Sequence, residues 1–148
     1  MTIVGFAYTK ISIERKQGTV QSRVNINNNV SIKAIEKTEL PFGPDKHNGL
    51  KFSFEFTSKY DPDIGEINLR GDVLYIDEEK NIKTILNEWK KEKKVSKELM
   101  TNIVNTILAK CNIQALILSQ ELNLPAPIPL PRVDQQTQVV AEEKNYIG

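Results

Sequence analysis

The residues able to do chemistry are few. His47 is the only histidine and Cys111 the only cysteine. His47 lies in Pro41-Phe42-Gly43-Pro44-Asp45-Lys46-His47-Asn48-Gly49, a run of turn formers that reads as a surface loop. A hydrolytic triad needs that imidazole to meet a nucleophile and an acid, and no neighbour in sequence is poised to be activated by it. Zinc takes about four Cys, His or carboxylate ligands, and one Cys with one distant His do not supply them. Asp61-Pro62-Asp63 offers two carboxylates, but a Pro-Asp pair between strands reads as a turn. The chain has no GxGxxG and no GxxxxGK[ST] phosphate loop. No catalytic residue, metal or cofactor is expected, and the protein reads as a binder and not an enzyme.

Residues 6–76 must supply strands. Ile11 and Ile13 alternate with Lys10, Ser12 and Glu14, the period of a half-buried strand. Val24, Ile26, Val30, Ile32 and Ala34 share one parity. Asn27-Asn28-Asn29 interrupts them and suggests a bulge or tight turn, because Asn tolerates positive φ. Leu50, Phe52, Phe54 and Phe56 alternate with Lys51, Ser53, Glu55 and Thr57, giving one aromatic and one polar face. Ile67, Leu69, Val73 and Tyr75 alternate with polar residues in a last strand. Gly71 falls in their inward parity, where a missing side chain marks a bulge or a close approach. Strands near 6–16, 20–36, 50–58 and 64–76, each with one polar face, make an antiparallel sheet.

At Asp77 the apolar period changes from two to 3.6. Asp77 is a candidate N-cap, and Glu78 and Glu79 suit the positive end of a helix over 78–92. Ile82, Ile85, Leu86 and Trp89 form its apolar stripe. Ser96 can cap a longer helix over 96–121, whose stripe is Leu99, Met100, Ile103, Val104, Ile107, Leu108 and Cys111. Cys111 on that stripe reads as core. Past Asn112 the helix is apolar nearly all round. Ile113, Leu116 and Ile117 therefore point to a second contact, with another subunit as the economical partner. Between the helices, Lys90–Lys97 holds five lysines interleaved with Glu92. It reads first as a solvated helix end, with an RNA contact as the sharper alternative.

In Leu122–Pro131 every second residue from Pro125 is proline. Proline blocks helix, and a spacing of two does not suit PxxP recognition. An extended arm packed on its own domain is expected. Residues 132–148 read as a polar C-terminal tail. Asn29-Val30-Ser31 matches a glycosylation acceptor and Arg70-Gly71-Asp72 an adhesion tripeptide. Both fall inside expected strands and carry no functional reading.

The 148 residues hold 20 Lys+Arg against 19 Asp+Glu, a net charge of +1. That balance argues against a protein built mainly to coat nucleic acid. A single cysteine excludes an intrachain disulfide. No apolar run approaches the roughly 20 residues of a membrane span, and no signal peptide is read at the N-terminus. A cytoplasmic location without membrane insertion is the expectation.

The order of elements, four antiparallel strands, a short helix, a long helix, then Leu122-Asn123-Leu124-Pro125, resembles the export chaperone SecB. Tyr8-Thr9-Lys10-Ile11-Ser12-Ile13-Glu14 is similar to the first-strand signature Tyr-Thr-Lys-Asp-Ile-Ser-Phe-Glu of that family, short of one Asp. Gly71–Ile76 falls where the family has Gly-Ile-Phe, and Leu122–Pro125 where it has Leu-Asn-Leu-Pro-Pro. Unlike the usually acidic family chaperones, this chain is balanced in charge, and residues 132–148 do not resemble the tail that docks SecB on its translocase motor. The resemblance implies an α+β domain over 1–131 with both helices on one face, and a tetramer built as a dimer of dimers. It implies ATP-independent holdase binding of unfolded polypeptide in apolar grooves between helix and sheet. The aromatic stripe Phe52, Phe54 and Phe56, with Trp89 and Met100 near helix ends, supplies the candidates to form or support the groove, although the three Phe read first as core. The alternative is a non-catalytic, ribosome-associated or other assembly protein on the same fold.

Overall fold

The computed structural model describes residues 2–16, 24–42 and 45–128. Its elements are β1 (Thr2–Arg15), β2 (Asn25–Phe42), β3 (Asp45–Asp61), β4 (Gly65–Ile76), α1 (Glu79–Glu92) and α2 (Lys97–Glu121). The strands form one antiparallel sheet in the order β1-β4-β3-β2. Strands β2, β3 and β4 follow one another as neighbours, while β1 returns to pair with β4, a Greek-key order. The two first strands of the chain are therefore the two edges of the sheet, not a hairpin.

Alternation builds the core. Leu50, Phe52, Phe54, Phe56 and Tyr60 of β3 and Ile67, Leu69, Val73 and Tyr75 of β4 are buried on one face. Both helices pack against that face with Ile82, Ile103, Ile107, Cys111 and Ala115. The opposite face is polar. There Glu55 takes Asn68 Nδ2 at 3.0 Å and Arg70 Nε at 2.8 Å, and Ser53 donates to Asp72 at 2.9 Å. At the centre, Gly71 pairs with both Phe54 and Tyr8. A Cβ there would lie 2.3 Å from the Ala7 carbonyl and 2.9 Å from the Phe54 ring. The missing side chain admits that ring, as its inward parity implied.

Four local expectations are corrected. The run 41–49 is not a loop around His47. Strand β2 extends into it as far as Phe42 and β3 starts at Asp45, pairing Leu40 with His47 and Pro41 with Lys46. Pro41 is tolerated because β2 is an edge strand, where an absent N–H costs no ladder bond. Asn27, Asn28 and Asn29 pair regularly with Lys59, Ser58 and Thr57, and the irregularity of β2 falls at Lys33 instead. That shift reverses the parity, so Ile35, not Ala34, joins Phe52 in the core. Asp77 lies one residue ahead of the α1 cap position, Glu78, whose side chain makes no cap bond. Asp77 Oδ1 nevertheless accepts from the Glu78 N–H at 2.7 Å and from Asn81 Nδ2 at 2.9 Å. Ser96 does cap α2, accepting from the Leu99 N–H at 3.4 Å.

Candidate functional site

The groups with potential for chemistry are dispersed. His47 is exposed on β3. Asp61 accepts from Asn27 at 3.0 Å, and Asp63 is paired with Lys16 at 3.0 Å. The two carboxylates thus serve separate turn contacts. Cys111 is buried beneath α2, and burial pushes its thiol up to about 11. Tyr8, its neighbour, is likewise raised by burial and then by the nearby thiol. Its hydroxyl donates to the Lys110 carbonyl at 3.1 Å. A thiol held protonated under a helix is a packing group, not a nucleophile. Among the described residues no three His, Cys, Asp or Glu side chains gather where a metal could sit. No helix among them is long and apolar enough to cross a membrane.

Apolar surface is the more distinctive feature. Phe52, Phe54 and Phe56 lie at the bottom of the core, with 0%, 2% and 0% of their surface exposed. Phe54 stacks on Phe6 with ring centroids 5.3 Å apart, and Phe52 meets Tyr75 edge-on at 6.2 Å. Trp89 and Met100 are half-buried. Trp89 packs on the core from the last turn of α1, and Lys93 Nζ sits 5.2 Å from its ring centroid. Met100 opens into a hollow of about 380 Å³ with Val95 and Val104. Trp89 does not line it, so the structure does not gather the five candidates into one groove.

A second hollow, of about 440 Å³, separates α1 from α2 over Tyr75, Ile85 and Leu99. Its rim carries Asp77. Burial pushes the Asp77 carboxyl up, but bonds from Asn81, Tyr75 and the Glu78 N–H outweigh it and hold the group below the usual carboxylate range. Tyr75 donates to it at 2.7 Å.

On α2, Ala115 and Ser119 face the sheet, while Ile113 and Ile117 remain 64% and 49% exposed. Leu116 is half-buried. With Ile11 on edge strand β1, at 47%, Ile113 and Ile117 are the large exposed apolar side chains of the described residues. The sheet covers one side of the helix only, which is the geometry expected from the all-round apolar turn.

Beyond α2, Asn123 takes a left-handed conformation at φ 55° and the chain turns across the end of the sheet. Arg15 donates to the Leu122 carbonyl at 2.7 Å, Tyr60 to that of Pro125 at 2.7 Å and Asn28 to that of Pro127 at 2.8 Å. Leu124 is buried, and its N–H bonds the Ser119 carbonyl at 2.8 Å. Residues 122–128 are thus packed on their own domain. The rest of the expected arm and the tail 132–148 lie outside the described residues. Sequence reasoning missed Asn28, which also accepts from Ser58 at 2.6 Å. The available signal was the row of prolyl carbonyls, each requiring a donor from an inward-facing polar residue.

No protein-family model matches the chain, and no curated protein matches it in sequence. Among solved structures it is similar to the Mycobacterium tuberculosis Rv1957 SecB-like chaperone, solved in complex with a ChAD peptide from the Rv1956 HigA1 antitoxin. The identity is 9% and the TM-score 0.50, over 90% of this chain and 89% of that one. The four-stranded antiparallel sheet with a short and a long helix on one face is therefore a SecB-like architecture.

Proposed function

We propose that this protein is an ATP-independent chaperone of the holdase type, binding unfolded or extended polypeptide through apolar side chains. The observation that carries the reading is the apolar hollow at Met100, Val95 and Val104 within a SecB-like fold. The similar mycobacterial protein was solved with a bound peptide, which supports the same class of ligand here. Phe52, Phe54 and Phe56 are buried in the core, and contact with the client falls to Met100 and the exposed part of Trp89. Each apolar side chain buried from a client contributes roughly 1.5–3 kcal/mol. Three or four such contacts reach micromolar affinity, about 8 kcal/mol, without sequence specificity and without a catalytic group.

The exposed row Ile113–Ile117 favours a homo-oligomer, in which a second copy covers the outer face of α2. The competing reading is a subunit of one larger assembly, with that row as its docking face. Titration of a fluorescent unfolded peptide, followed by anisotropy, tests the function. Wild-type protein is expected to saturate and Met100→Asp to bind at least tenfold more weakly. Absence of peptide binding, with recovery of a single defined complex such as a ribosomal subunit from cell extract, transfers the case to the assembly reading.

A further inference from the structure

The corner between α1 and α2 carries a concentration of positive charge that the fold does not require. Lys90, Lys91, Lys93, Lys94 and Lys97 are all exposed. Of the ten lysines elsewhere on the described chain, five, Lys16, Lys33, Lys46, Lys51 and Lys83, reach a carboxylate within 4 Å, so what sets the corner apart is density, five lysines within eight residues. In the corner, Glu88, Glu92 and Glu98 are also exposed and near in sequence, yet no ion pair within that distance joins them to these lysines. The charges are left facing solvent.

Helix electrostatics account for only part of the cluster. Lys90 and Lys91 occupy the last turn of α1, where the negative end of the dipole favours a cation. Lys97 is the first residue of α2, where the positive end opposes one. Lys93 holds the left-handed position that ends α1, at φ 55°, a place where glycine is usual. Lysines thus stand at two positions that local structure disfavours, and both add charge to the same corner. The α2 N-terminus, with the amides of its first turn, lies beside them.

Trp89 supplies a different kind of contact. It is half-buried at the end of α1, with the Lys93 ammonium 5.2 Å from its ring centroid. A half-buried indole among exposed ammonium groups is a combination suited to single-stranded nucleic acid: a base stacks on the ring while neighbouring phosphates meet the cations. An acidic polypeptide would satisfy the charges, but its carboxylate side chains offer the ring no flat stacking partner, whereas a base does. A flat lipid surface would require the cations to be spread over one plane, whereas these turn around a helix corner.

We propose that Trp89 with Lys90, Lys91, Lys93, Lys94 and Lys97 forms a binding site for single-stranded nucleic acid. It shares Trp89, and Lys97 at the Met100 hollow, with the polypeptide reading and adds a second class of ligand. The Lys93 ammonium moves from the indole to a phosphate as the base takes its place. Contacts to about four phosphates give a logarithmic salt slope near −3, so affinity falls about 50-fold between roughly 50 and 200 mM salt.

Trp89 is the only tryptophan, so its fluorescence reports on the site directly. The full-length protein is titrated with oligo(U) and oligo(dT) of about 20 nucleotides, enough to span one site, and with poly-glutamate and phosphatidylglycerol vesicles at equal charge. Quenching by the oligonucleotides with the stated salt slope, and much weaker effects of poly-glutamate and vesicles, are expected. The exposed quadruple variant Lys90→Gln, Lys91→Gln, Lys93→Gln and Lys94→Gln should lose at least tenfold in oligonucleotide affinity. Its circular dichroism and melting temperature should stay unchanged. No quenching at low salt, equal binding of poly-glutamate or vesicles, or unchanged affinity in the quadruple variant overturns the proposal.

Discussion

At the scale of single residues, two positions carry more than their size. Gly71 lets the Phe54 ring lie across the centre of the sheet. Gly71→Ala places a methyl against the Ala7 carbonyl and that ring, and neither backbone nor core can move away cheaply. Overpacking of this kind costs roughly 1–3 kcal/mol, and urea unfolding should show it as a lower midpoint with an unchanged slope. Asp77 joins β4 to α1 through bonds to Tyr75, Glu78 and Asn81. Its pKa is lowered in the folded state, so its contribution is complete above the unfolded value of about 3.9. That contribution is lost as pH falls through the folded value. Asp77→Ala should therefore cost about 1–2 kcal/mol at neutral pH. Its melting temperature should converge on the wild-type value in strong acid, a trend read from melting curves across a pH series. The same residue shows how far local signals reach. An acid at the β-to-α junction was legible as a helix-start signal. Its exact position and its link to Tyr75 depend on the end of β4, which periodicity does not fix.

At the scale of elements, strands with an unbroken period were readable and those interrupted by bulges were not. Strands β3 and β4 alternate cleanly because both are central and one face of each is buried. The edge strands carry irregularities near Val4, Thr9 and Lys33, and each shifts the pattern by one residue. The run around His47 misled because Pro41, Asn48 and Gly49 signal turns, whereas all three lie in paired strands. The pairing of β1 with β4 is a contact between distant parts of the chain, and no local pattern encodes it. The arm tests this level directly. Tyr60→Phe removes the donor to the Pro125 carbonyl while keeping the ring in the core. It should cost about 1 kcal/mol and speed hydrogen exchange at the Leu124 amide, with little change in the amides of β3. Unchanged exchange at Leu124 would show that the packing of its own side chain, not the clamp, holds the arm.

At the scale of the whole molecule, the fold buries one sheet face under two helices and leaves Ile113 and Ile117 exposed on the C-terminal half of α2. The all-round apolar pattern past Asn112 made that row legible in the sequence. Whether anything covers it is not written there, because a single chain carries no record of a partner. The double variant Ile113→Glu, Ile117→Glu alters exposed side chains only, so it should fold normally. Light scattering should show it as a monomer where the wild type is a multimer. A wild type that stays monomeric at high concentration would leave the exposed row to a different partner. Met100 and Trp89 are partly exposed as residues near helix ends can be, while the aromatic strand that drew attention first proved to be core.

The central claim is that unfolded polypeptide is the ligand. The most direct measurement is light scattering from a chemically denatured, unrelated protein diluted into nucleotide-free buffer with this chain at an equimolar ratio. The account predicts that aggregation is suppressed without ATP and that Met100→Asp suppresses it less. Scattering that rises as fast with the wild-type protein as without it would contradict the account.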